Sequence, residues 1–130
     1  MILVDTHVVI WIADRPEKLS AAARAVIDDA RLHGKGLAIS GITLFELAMA
    51  ISRGRIMVRR SLDSFLHAVE ANFIVKPITG RIAAQAVQFP ESYPQDPMDR
   101  IIGATSIVDG LPLITADSAI RRCKVIDTIW

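Results

Sequence analysis

The chain has 130 residues, 52% of them hydrophobic and 22% charged, with 15 Lys and Arg against 14 Asp and Glu. That balance excludes a disordered chain; no apolar run reaches the roughly 18 residues of a membrane span; and a formal net charge of +1 rules out bulk charge as a means of holding nucleic acid. The single cysteine, Cys123, cannot form an internal disulfide, which fits a reducing cytoplasm, and the N-terminus lacks the basic stretch of a signal peptide.

MILV opens the chain as a short apolar run suited to a strand covered on both faces, over 2–4. Asp5 stops it. VVIWIA, after Thr6, has the bulk of a helix over 7–13. Ser20 is an N-cap for AAARAVIDDARLH, which Gly34 stops. GLAIS (36–40) is the second strand. Thr43 begins LFELAMAISRG, closed at Gly54, and Ser61 begins LDSFLHAVEAN. FIVKPI (73–78) is the third strand. Thr79 begins GRIAAQAVQ, closed by Pro90. Asp96 and Pro97 begin MDRIIGATSIVDG, with proline where a helix tolerates it and Gly110 at the end. PLIT (112–115) and KVID (124–127) are the last strands, and Asp117 opens SAIRRC between them. There is no repeat, linker or low-complexity tract. Strands alternating with helices predict one α/β domain over 1–130, with a mainly parallel sheet of four to five strands between two helical layers. Right-handed crossovers then bring every strand C-terminus to one edge.

Asp5, Glu46, Asp99 and Asp117 all approach that edge. Each has a plain alternative. Thr43 and Glu46 have capping-box spacing, Asp96 and Asp117 are good N-caps, Asp99 could partner Asp96, and Asp5 could cap the helix after Thr6. Capping explains acids at helix starts, but not a convergence of acids beside strongly apolar runs. Two carboxylates about 4 Å apart repel by roughly 4 kcal/mol at an effective dielectric of 20, so such a cluster needs a cation. All-oxygen donors suit Mg²⁺ or Mn²⁺ and not zinc. His7 reads as a core or helix-surface residue and Cys123 as packing. Carboxylate-held dications do phosphoryl chemistry. No GxGxxG or GxxxxGK[ST] loop is present to cradle a nucleotide. The residues therefore read as a metal-dependent nuclease. RGRIMVRR (Arg53, Arg55, Arg59, Arg60) and RRCK (Arg121, Arg122) are candidate RNA contacts.

LVDTHVVIWIADRPEKLSAAARAVI, ISGITLFELAMAISRGRI and DPMDRIIGATSIVDGLPLITAD resemble, in order and spacing, the motifs of PIN-domain ribonucleases, specifically VapC-type toxins of toxin–antitoxin pairs. The resemblance implies a PIN-like three-layer α/β/α sandwich and metal-binding acids at Asp5, Glu46, Asp99 and Asp117. Thr6 and Thr115 support the site, Thr115 by orienting the last acid, and Asp96 stays a secondary candidate. It further implies Mg²⁺ or Mn²⁺, structured RNA as substrate, a homodimer, and a cognate protein antitoxin as inhibitor. Gly103 stands where alanine is more usual, which is expected to weaken the helix by up to about 1 kcal/mol. The mean hydropathy of +0.38 fits apolar surface kept for partners. Two rivals remain open at this point. One is a phosphatase or phosphoacceptor domain, although His7 stands where a haloacid-type phosphatase needs a second aspartate. The other is a non-catalytic binding module whose acids are all caps.

Overall fold

The computed structural model describes residues 1–130. Five parallel strands, β1 (Ile2–Val4), β2 (Leu37–Ser40), β3 (Ile74–Lys76), β4 (Leu113–Ile114) and β5 (Thr128–Ile129), lie in the order β3-β2-β1-β4-β5. Seven α-helices join them: α1 (Thr6–Asp14), α2 (Ala21–Leu32), α3 (Gly41–Ser52), α4 (Leu62–Asn72), α5 (Gly80–Ala86), α6 (Pro97–Asp109) and α7 (Ser118–Cys123). A single 3-10 turn, Pro16–Lys18, follows α1.

The sheet is buried on both faces because successive strand residues point opposite ways. Leu3, Ala38 and Leu113 join one core with Ile82, Tyr93, Ile102 and Ile120 from the α5, α6 and α7 side. Val4, Leu37, Ile39 and Ile114 join a second core with Val8, Val9, Ile27, Leu47 and Val69 from α1 to α4. That is the three-layer α/β/α arrangement expected. Each such side chain contributes roughly 1.5–3 kcal/mol by leaving water.

Most helix starts fall where the caps placed them. Ser20, Ser61, Thr79, Asp96 and Asp117 each accept a hydrogen bond from a first-turn N–H. Two boundaries differ. Thr43 does not begin its helix. Ser40 caps α3, accepting from the Ile42 N–H, so β2 runs straight into the helix. The last strand is Thr128–Ile129 and not 124–127, because Lys124 takes the left-handed conformation (φ 57°) that ends α7 and delays pairing. β1 matches the expected 2–4, whereas β2, β3 and β4 are shorter at their ends than the apolar runs suggested.

Candidate active site

β1 is flanked by β2 on one side and β4 on the other, so the chain reverses its direction of sheet growth between β1 and β4. The crevice beyond the strand C-termini at such a point is where open α/β sheets bind ligands. Asp5 and Thr115 are the residues that follow the paired Val4 and Ile114. Asp5 is 4% exposed. Its Oδ1 accepts from the Thr6 N–H at 2.8 Å, and its Oδ2 accepts from the Thr115 hydroxyl at 2.7 Å. The same Thr115 oxygen accepts from the Asp117 N–H at 3.1 Å. Thr115 therefore fixes the side chain of the first acid and the backbone of the last, a wider role than orienting the last alone.

Glu46 does not close the capping box its spacing allowed. Its Oε1 accepts from the Thr6 hydroxyl at 2.7 Å. The single Thr6 hydroxyl proton is thereby committed, so the 3.0 Å contact between the Thr6 and Thr43 oxygens is donated by Thr43. Thr43 to Thr6 to Glu46 is a polar chain whose two threonines are buried. Thr6→Val keeps the shape and removes the donor. With Glu46 as the metal ligand that the motif resemblance implies, Thr6→Val is expected to lower metal affinity or RNA cleavage by about 10–100-fold, the usual cost of losing a partner that orients such a ligand. Metal-titrated melting and initial cleavage rates measure it, and a change under twofold in both would remove Thr6 from the site.

Asp5, Glu46 and Asp99 line one cavity of about 310 Å³, together with Thr6, His7, Ile10, Met49, Ala50, Arg53, Arg55 and Ile56. Burial, and then the charges of Asp5, Asp96, Asp117 and Glu46, push the Asp99 carboxyl up to about 7. Burial likewise raises Glu46, opposed by the Thr6 hydrogen bond and aided by Asp5 and Asp96. The acids thus share one field, yet no three His, Cys, Asp or Glu side chains are already gathered into a coordination cluster. Asp117 lies beside the cavity and not in its wall. One of its oxygens caps α7 through the Ala119 and Ile120 N–H groups. Asp96 is exposed and caps α6 through the Met98 N–H. Capping does not use up either carboxylate, which has lone pairs to spare.

His7, read as a core or helix-surface residue, is half-buried on α1, packs edge-on against Trp11 and also lines the cavity. Its Nε2 accepts from the Ala116 N–H at 3.0 Å, which leaves Nδ1 as the protonated nitrogen, 3.6 Å from Asp5 Oδ2. Arg100 directly follows Asp99 in the chain, but its guanidinium donates to the carbonyls of Pro94, Ala86, Pro90 and Tyr93. The cations that do reach the cavity are Arg53 and Arg55. Arg59, Arg60, Arg121 and Arg122 are exposed and lie outside it. Cys123 is half-buried, 3.3 Å from the Ser92 hydroxyl. Sequence reading missed Tyr93 altogether. Its hydroxyl is raised by burial and by Asp5, Asp99 and Asp117, and it donates to the Asp99 carbonyl at 3.0 Å, beneath the acids.

A PIN domain family model matches residues 2–125. A curated relative, Ribonuclease VapC22 of Mycobacterium tuberculosis, is 38% identical over 120 residues, covering 92% of this chain and 89% of its own. Among solved structures, VapBC2 of Rickettsia felis bound to a promoter DNA fragment superposes with a TM-score of 0.73 at 15% identity, over 98% of this chain and 97% of that one. DNA-bound VapBC of Salmonella typhimurium does so with 0.68 at 20% identity, over 98% and 97%.

Proposed function

The chain belongs to the PIN-domain family, in the company of VapC ribonucleases, and on that premise we propose that it is a Mg²⁺- or Mn²⁺-dependent endoribonuclease, the toxin of a toxin–antitoxin pair, acting on structured RNA. The observation that carries the reading is the cavity at the sheet's switch point, with Asp5, Glu46 and Asp99 in its wall and two arginines facing the same space.

The donor set fits a hard dication. It is all carboxylate oxygen, with His7 Nε2 already occupied by a backbone N–H. Asp5, Glu46 and Asp99 would hold the ion, and Asp117 stands by with its second oxygen. When bound, the ion supplies the positive charge that activates water and offsets charge at phosphorus. The chain's own residues supply the order. Thr6 and Thr115 fix the carboxylates of Asp5 and Glu46, and the Thr6 N–H and the Thr115 hydroxyl leave Asp5 one orientation. Burial first, and then the neighbouring carboxylates, disfavour the charged form of Asp99, and a dication held there would offset both.

A homodimer and a cognate antitoxin belong to the same reading. The solved neighbours named above are VapBC assemblies bound to DNA, which supports a partner protein for this chain. Phe45, 54% exposed on α3 next to Glu46, offers an apolar contact beside the acids. The test is purified protein on structured RNA. Cleavage is expected with Mn²⁺ or Mg²⁺, to stop in EDTA and to return with excess Mn²⁺. Cleavage that persists in EDTA would overturn the metal's role, and no cleavage under any metal would return the acids to capping. Sequencing RNA ends after induced expression then names the target.

A further inference from the structure

α3 ends in a Schellman corner. The Gly54 N–H donates to the Ile51 carbonyl at 3.1 Å and the Arg55 N–H to the Ala50 carbonyl at 2.8 Å, with Gly54 left-handed at φ 71°. This pattern favours a residue without Cβ at the turn, and it folds the following residue back along the helix end. Arg53 and Arg55, on either side of Gly54, therefore both line the cavity that holds Asp5, Glu46 and Asp99. Basic residues at a helix C-terminus also have a plain role against the helix dipole. The dipole does not explain why both side chains line the acid cavity, nor why neither guanidinium is ion-paired. Arg100, by contrast, is spent on backbone carbonyls.

Two unspent guanidiniums beside three carboxylates divide the cavity by charge. The acidic wall suits a dication. The basic wall suits an oxyanion, which arginine grips with paired N–H groups. We propose that the Arg53–Gly54–Arg55 corner is a substrate clamp that holds a phosphodiester adjacent to the one being cleaved. It acts on the same RNA chain as the function proposed above and rests on that reading. The clamp makes internal RNA linkages the preferred substrate and leaves Arg59, Arg60, Arg121 and Arg122 as peripheral charges.

The test is binding of a fluorescein-labelled RNA hairpin to full-length Asp5→Asn protein, which cannot consume it, across a salt series. Arg53→Gln with Arg55→Gln should flatten the slope of log affinity against log salt by about 0.7–0.9, the loss of one phosphate contact. Arg53→Lys with Arg55→Lys should restore the slope, since it follows charge. Arg121→Gln with Arg122→Gln should change it by less than the first pair does. All these side chains are exposed, so the fold should survive, and an unchanged melting temperature confirms it. An unchanged slope in the Arg53 and Arg55 double variant, with RNA still bound by the parent, overturns the clamp alone. A parent that binds no RNA at low salt overturns the clamp together with the reading beneath it.

Discussion

Asp5→Asn is expected to abolish RNA cleavage, by a thousandfold or more, while the protein stays folded. Asp5 is buried and accepts from two donors, the Thr6 N–H and the Thr115 hydroxyl. Asparagine can keep its oxygen toward Thr6 and turn its amide toward Thr115. The Thr115 hydroxyl then loses its acceptor, a loss of about 1 kcal/mol, partly offset by less repulsion on Asp99 and Glu46. The chemistry has no such compensation. With Asp5 among the residues that would hold a dication, its loss would cost several kcal/mol of the transition-state stabilisation that the ion would supply, and each 1.36 kcal/mol is tenfold in rate. Melting separates the two effects. Mn²⁺ at ten times its Kd stabilises the folded state by about 1.4 kcal/mol, roughly 5 °C for a chain of this size. The wild type should show that rise and lose it in EDTA, and Asp5→Asn should show little of it. Cleavage at the wild-type rate by a folded Asp5→Asn protein would remove Asp5 from the reaction.

Local rules made the helix caps and apolar strands legible, because each is written within a few adjacent residues. They failed where two local signals competed. Ser40 and Thr43 are both competent caps, and the sheet decided for Ser40 by ending β2 there. KVID has the pattern of a strand, yet Lys124 in a left-handed turn is an outcome of how α7 stops and cannot be read from apolar content. That Asp5, Glu46 and Asp99 meet was legible through their common sheet edge and through the resemblance of their motifs, whereas Asp117, read with them, lies outside the cavity wall. The groups that hold them were not all so. Thr115 meets Asp5 across 110 residues because β4 lies beside β1, and that neighbour relation belongs to topology and not to any spacing. Thr43 looked like a cap and proved to be the end of a hydroxyl chain onto Glu46. The arginines of RGRIMVRR looked alike in sequence. The Gly54 corner separates them, with Arg53 and Arg55 at the cavity and Arg59 and Arg60 away from it.

Gly103 is where helix propensity and packing give opposite signs, so Gly103→Ala is a decisive substitution. Propensity alone says that alanine should stabilise α6 by up to about 1 kcal/mol. The structure says otherwise. A Cβ at Gly103 would collide with the Tyr93 hydroxyl oxygen, stand 2.8 Å from Tyr93 Cζ and 3.1 Å from Phe89 Cζ. Tyr93 is 1% exposed and stacks on Phe89 with ring centroids 4.0 Å apart, so neither ring has free space to move into. Forcing extra volume into such a core costs about 1–3 kcal/mol, which exceeds the gain in propensity. Gly103→Ala is therefore expected to lower the melting temperature by several degrees. It should also lower cleavage, because the displaced Tyr93 hydroxyl is the group that donates to the Asp99 carbonyl. Tyr93→Phe removes the oxygen nearest the new methyl but leaves the ring carbon behind it. The double variant should thus lose less stability than the two single losses added together, a coupling of at least about 0.5 kcal/mol for groups in direct contact. A Gly103→Ala protein that melts higher than the wild type would show that the rings yield and that propensity wins.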